Sequence, residues 1–227
     1  MKIRKREPVK IVGIILLITL IISVVYSFVR FLMAPTEVID ASEYVKVKSD
    51  YLLMLTQCLL GLVVMSLPSM LNRRWKIVVP NTIIILYYIF LYCAIYLGEV
   101  FDFYYRIPFW DNLLHAFSGA MLGALGFVLV DILNKDSHVR VNLSPFFVSL
   151  FAFSFALAVG ALWEVYEFSF DALLGLNMQK HTTQDGTLLV GNAALFDTMI
   201  DIIIDAVAAL LVAVLGCVLG KHKEKRS

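Results

Sequence analysis

The sequence predicts an all-α protein, a polytopic transmembrane helix bundle with six spans and both termini cytoplasmic. Three observations carry that expectation. Hydrophobic residues make up 60% of the chain and charged residues 16%, with a mean hydropathy of +0.84. A soluble fold of this length has too few polar residues to cover so much apolar surface, whereas lipid tolerates it. Several apolar runs reach the roughly 20 residues that a spanning helix needs. The Lys and Arg residues cluster on alternate connections, as the positive-inside rule requires.

The spans fall at approximately 9–33, 51–71, 77–97, 112–133, 145–168 and 195–219. The first run is longer than a signal-peptide core, and no small-x-small cleavage site follows Phe31, so it reads as a retained span. Basic residues mark one side of the membrane. They are Lys2, Arg4, Lys5, Arg6 and Lys10 at the N-terminus, Arg73, Arg74 and Lys76 between spans two and three, Lys135 and Arg140 between four and five, and Lys221, Lys223, Lys225 and Arg226 in the tail. The other connections are acidic or mixed, with Glu37, Asp40, Glu43, Glu99, Asp102 and Asp185, and are expected to face outward. Ser144-Pro145 has the form of an N-cap followed by proline at the first helical position, and Pro80 suits the first turn of span three. Trp75, Trp110 and Trp163 fall near expected interfaces. Gly119, Gly123 and Gly126 in span four, and the alanines of span six, allow close helix approach. The chain reads as one integral membrane domain over 1–227, with the 171–194 connection as the best candidate for a lid. Cys58, Cys93 and Cys217 sit in apolar runs without metal-ligand spacing and read as small helix residues. No basic stripe with interleaved aromatics is present, which argues against a nucleic-acid partner.

Polar residues inside spans are costly and mark bundle interiors or water-filled cavities. Here they gather toward one side. Asp111 and His115 open span four at i, i+4 and share a helix face. Glu164, Glu167 and Asp171 share a face at the end of span five. Asp197, Asp201 and Asp205 form a stripe at i, i+4, i+8 in span six, and Asp102 and Arg106 lie at the same level. A carboxylate at a helix start favours the positive end of the helix dipole, worth about 0.3–1 kcal/mol, and this bland role fits Asp50, Asp111 and Asp197. It does not cover Asp201 or Asp205, which lies on the order of 12 Å deeper than Asp197 at 1.5 Å per residue. Insertion scales charge about 2.5–3.5 kcal/mol for an Asp at a helix centre. His181 in the outer loop, and His138 and His222 on the basic side, read as solvated. Arg106 is a counter-charge for Asp102 or a grip for an anionic group.

Several carboxylates and one imidazole cannot share a poorly solvated volume while all are charged, so protons or a cation must compensate. An oxygen-rich set with one His suits Mg, Mn, Ca or Zn. The expected ligands are Asp111, His115, Glu164, Asp197, Asp201 and Asp205. Glu167 is the expected general base and Arg106 the expected holder of an anionic group, on a cell-envelope or lipid-linked substrate. Two alternatives stay open: a transporter of protons, ions or a small solute, and a non-catalytic envelope or regulatory protein whose acids are structural. Enzyme activity and oligomeric state are left undecided.

At these residues the chain resembles the YjdF-like family of bacterial inner-membrane proteins. The matching segments are Phe101 to Asp111 with His115 and Ser118-Gly119, Trp163 to Phe168, and Phe196 to Met199 with Asp201 and Asp205. More distantly, an Asp-x-x-x-His helix, a Glu and an Asp-rich last span resemble VanZ-like proteins, although Asp205 and Ala209 stand where that pattern has Asn and Gly. The resemblance implies a bacterial plasma-membrane location, an architecture and a common polar site. It names no reaction.

Overall fold

A computed structural model describes residues 7–36, 46–135, 143–183 and 187–224. Within them the chain is helical, and the only strand-like pairing is a single bridge between Thr182 and Leu188. Helix α1 (Glu7–Met33) is followed by α2 (Lys48–Val64) and α3 (Leu67–Trp75), then α4 (Asn81–Leu91), which runs on as a π-helical segment (Tyr92–Val100). A short α5 (Phe103–Arg106) leads to α6 (Trp110–Lys135), α7 (Pro145–Leu174) and α8 (Asn192–Glu224). Six helical stretches are long and apolar enough to cross a membrane: Glu7–Met33, Lys48–Arg74, Asn81–Val100, Trp110–Asn134, Pro145–Leu174 and Asn192–Lys221. Their outward faces carry large exposed hydrophobic residues, such as Ile22, Val25 and Leu32 on α1 and Leu211 and Leu215 on α8. That inside-out surface is what lipid requires.

The boundaries follow local chemistry. Ser144 accepts a hydrogen bond from the Phe147 amide at 3.3 Å and caps α7, with Pro145 next. Pro80 stands at the N-cap of α4, just before the first turn in which it was expected. Span five runs past the expected 168 to Leu174, where Gly175 at φ 63° supplies the left-handed cap. Span two is bent at Met65-Ser66, where Pro68 cannot donate back into the preceding turn. Span six begins at Asn192 rather than 195, so Asp197 lies inside the helix. The helix-start role foreseen for Asp197 is thereby corrected; Asp111, the second residue of α6, keeps it.

Two packing units meet. On one side α1 runs along α2 and α4 around Leu16, Leu20, Met54, Cys58, Leu91 and Ile95. On the other, α6, α7 and α8 pack against one another with small residues at the crossings. A Cβ on Gly126 of α6 would stand 2.6 Å from the Ala152 Cα of α7, a contact only glycine permits. The cysteines are free. Residues 1–6, 37–45, 136–142, 184–186 and 225–227 lie outside the described residues. With them lie the expectations placed on Lys2, Arg4, Lys5, Arg6, Glu37, Asp40, Glu43, His138, Arg140, Asp185, Lys225 and Arg226; the side chains of Trp75, Lys135, His222 and Lys223 are likewise outside them.

Candidate functional site

Asp205 organises the centre. It sits in α8 where α6 and α7 both approach, and it is 2% exposed. A Cβ on Gly119 would meet the Asp205 carbonyl oxygen at 2.7 Å, and one on Gly160 would meet its Oδ2 at 2.5 Å. The two glycines on facing helices therefore make the space this carboxylate occupies. Ser118 Oγ donates to Asp205 Oδ1 at 3.0 Å, and His115 Nδ1 lies 3.2 Å from Oδ2. Nδ1 thus faces Asp205, and Nε2 on the other side of the ring faces the remaining acids. Nε2 stands 3.8 Å from Asp111 Oδ1 and 3.7 Å from Asp201 Oδ2.

Asp111, His115 and Asp201 each offer one ligand atom, and these atoms lie within 4.8 Å of one another. Donors held about 2.0–2.2 Å from a common ion are themselves about 3–4 Å apart, as the two Nε2–carboxylate pairs are here. Among the sequence-derived ligands, Asp205 instead engages the other ring nitrogen. Glu164 lies close by, 4% exposed, with the Thr198 hydroxyl of α8 beside its carboxyl. It feels the charges of His115, Asp197 and Asp111. Glu167 accepts from Trp163 Nε1 at 2.8 Å and lines the cavity described below. Arg106 is not at the cluster: its side chain is 68% exposed and pairs with Asp102 at 3.7 Å.

The connection after α7 is seated on the site. Asp171 accepts hydrogen bonds from the Met178 and Gln179 amides at 2.8 and 3.0 Å, which turns the chain inward. Leu176 and Met178 pack against Leu53 of α2, and Gln179 Nε2 donates to Thr198 Oγ1 at 2.8 Å. Lys180 then reaches the acids. Its ammonium pairs with Asp111 and lies 3.5 Å from Asp197, with Tyr104's ring 5.5 Å away. Burial works against the Lys180 charge but is outweighed by Asp111 and Asp197, so its pKa is raised. Burial likewise holds the Tyr104 hydroxyl well above its ordinary value. Sequence reasoning missed Lys180, although it is the one Lys or Arg of that connection. His181 stays beside Asp171 at 3.5 Å, away from the cluster.

The polar cluster opens into a cavity of about 360 Å³ between α2, the α4–π span, α6 and α7. Asp111, His115, Glu167 and Lys180 line one end, and Leu60, Val64, Phe90, Ala94 and Leu122 line the rest.

An all-helical bundle with six membrane-length apolar helices and an acid–histidine cluster defines a class of multi-pass membrane protein. The chain belongs to the family described as "Predicted membrane protein (DUF2238)", matched over residues 42–222. It is also 33% identical over 107 residues to a protein of Thermotoga maritima described as "Uncharacterized protein", covering 47% of each chain. The chain thus spans about half the length of that curated relative. No solved structure matches it. The YjdF-like and VanZ-like likenesses are not among these matches.

Proposed function

We propose that this protein binds a divalent cation at Asp111, His115 and Asp201 within the membrane, with Glu164 and Asp197 at the rim, and acts there on a cell-envelope or lipid-linked substrate. The observation that carries the reading is the convergence of one ligand atom each from Asp111, His115 and Asp201, within 4.8 Å of one another on two helices. Such an ion supplies Lewis acidity at a phosphoryl or acyl oxygen. Asp205 holds the imidazole in one tautomer, Lys180 closes the Asp111–Asp197 side, and Glu167 is the group on the cavity wall that accepts a proton. Transport is the weaker alternative, because the cavity away from the cluster is lined by apolar side chains. A purely structural cluster draws support from the Lys180 ion pairs, but it leaves the cavity beside the cluster without a reason.

Asp201→Asn and Glu164→Gln separate these readings by sign. Binding an ion stabilises the native state by mass action, by about 2.7 kcal/mol at a hundredfold excess over the dissociation constant. If the ion is present, both near-isosteric changes lower metal content and melting temperature, and chelator does the same to the unmodified protein. If the acids are only crowded together, removing one charge leaves stability equal or higher. Elemental analysis and melting with and without Mg, Mn, Ca or Zn decide the matter. Absence of any bound ion and of any ion-dependent shift would refute the cation reading.

The site faces outward in this proposal, with both termini cytoplasmic and the membrane that of a bacterial cell. A cysteine placed in the 73–76 connection is expected to resist a membrane-impermeant maleimide in intact cells, while one at position 189 reacts. Reversal of that pattern would invert the orientation.

A further inference from the structure

We propose that the cavity receives a hydrocarbon chain of an amphiphile whose phosphate headgroup lies at the Asp111–His115–Asp201 cluster. The placement of the phosphate rests on the cation reading above; the placement of the chain does not. The cavity's volume of about 360 Å³ falls in the ~300–1,000 Å³ range of small-molecule pockets. Its lining is divided lengthwise. His115 and Leu122 line it seven residues apart on α6, roughly 10 Å of helix. Leu53 and Val64 line it on α2 over roughly 16 Å, about half of the ~30 Å hydrocarbon core. The floor is polar only where Tyr87's hydroxyl donates to the Val64 carbonyl at 2.8 Å, freed by the bend in span two. That group is already satisfied, so the deep end has nothing to offer a polar ligand there.

A water-soluble substrate would leave this apolar wall facing water or void. A wholly apolar ligand would leave the charged end desolvated and unpaired. An amphiphile meets both halves. The headgroup follows from charge. Asp111, Asp201, Glu164 and Glu167 repel an anion unless a divalent ion lies between, and a bound ion together with Lys180 reverses that preference. Glycerophospholipids and lipid-carrier phosphates share this chemistry.

The test uses the full-length protein in phosphatidylcholine nanodiscs with a long-chain alkyl phosphate bearing a photoreactive diazirine at mid-chain. Cross-links are mapped by peptide mass spectrometry, and metal content is measured on the same samples. Cross-links should fall on peptides carrying Leu60, Phe90, Ala94 or Leu122, and unlabelled dodecyl phosphate should compete. Ala94→Phe, which fills the cavity, should lower cavity labelling roughly tenfold, the worth of about two buried methylenes. Ala94→Val should lower it less, and it keeps the test valid if the larger side chain impairs folding. Competition by phosphatidic acid or by a polyprenyl phosphate identifies the source of the chain. Label confined to lipid-facing α1, or label indifferent to Ala94→Phe, overturns the proposal even if metal is bound. Cavity label without bound metal upholds the placement of the chain and overturns both the cation reading and the placement of the phosphate at the cluster. Cavity label from an alkylammonium probe but not from the alkyl phosphate overturns the phosphate headgroup.

Discussion

Gly160→Ala is expected to destabilise the protein by about 2 kcal/mol, against the usual sign for a glycine in a helix. In a helix interior alanine gains about 0.8–1 kcal/mol over glycine. Here the new Cβ would stand 2.5 Å from Asp205 Oδ2 and 3.1 Å from its Cγ. Asp205 cannot swing away freely, because Ser118 and His115 hold its two oxygens at 3.0 and 3.2 Å. Overpacking costs about 1–3 kcal/mol, and a buried carboxylate pushed from its donors adds about 1–3 kcal/mol more. Gly123→Ala is the control. Its Cβ would meet Val212 side-chain atoms at 3.4 Å, ordinary contact, so stability should hold or rise. A double-mutant cycle with Asp205→Ala should show strong coupling, since removing the carboxylate removes the clash. Thermal unfolding in detergent gives all four corners. Equal effects at Gly160 and Gly123 would show that Asp205 is not held as described.

The helical part of the site was legible from spacing. Asp111 and His115 meet because four residues separate them on α6, and Asp201 and Asp205 reach the same imidazole because four residues separate them on α8. Intramembrane carboxylates announce themselves by their cost, which is why Glu164 was also visible. Which ring nitrogen each acid faces was not legible, because it depends on the rotation of α6 against α8. Gly119, where α6 meets Asp205 of α8, helps set that rotation, and it read in the sequence only as a small residue. Arg106 pairs with Asp102, the counter-charge role its spacing offered, and stands apart from the cluster. Its neighbourhood to Asp111 in sequence ignores the turn at Ile107–Phe109, with Phe109 at φ 61°, which leaves the guanidinium in the open. Asp197 looked like a helix start because the apolar run begins near it, yet Asn192 begins the helix. Lys180 lies in a connection without periodicity, and its reach depends on amide bonds to Asp171 that no pattern of residue types displays.

Lys180→Met is expected to have two effects of opposite direction, according to whether a divalent ion is present. Lys180 adopts φ 48°, a left-handed conformation that costs a β-carbon residue about 1–2 kcal/mol, and its contacts must offset that cost. They are the ion pairs with Asp111 and Asp197 and the face of Tyr104. The lysine side chain is 26% exposed and the two acids 21% and 28%. The loss on removing the cation therefore lies between the 3–5 kcal/mol of a fully buried pair and the 0–1 kcal/mol of an exposed one, at about 2 kcal/mol. In chelator the variant should unfold at lower temperature. The sign with pH follows from the raised pKa: the ammonium's contribution is complete below its unfolded value of about 10.4 and is lost only as pH rises through the higher folded value. The difference between variant and parent should accordingly stay flat from about pH 7 to about pH 9. With divalent ion added, the tethered ammonium no longer competes for Asp111, so the variant should bind the ion more tightly, by roughly tenfold for about 1.4 kcal/mol of relieved competition. Replacing Asp197 with Asn alongside should restore part of the stability lost in chelator, because one of the stranded charges is gone. Titration calorimetry with Mn and Mg, beside melting in chelator, measures both arms. A variant that melts like the parent in chelator and binds ions no better would mean that Lys180 neither compensates the acids nor guards the site.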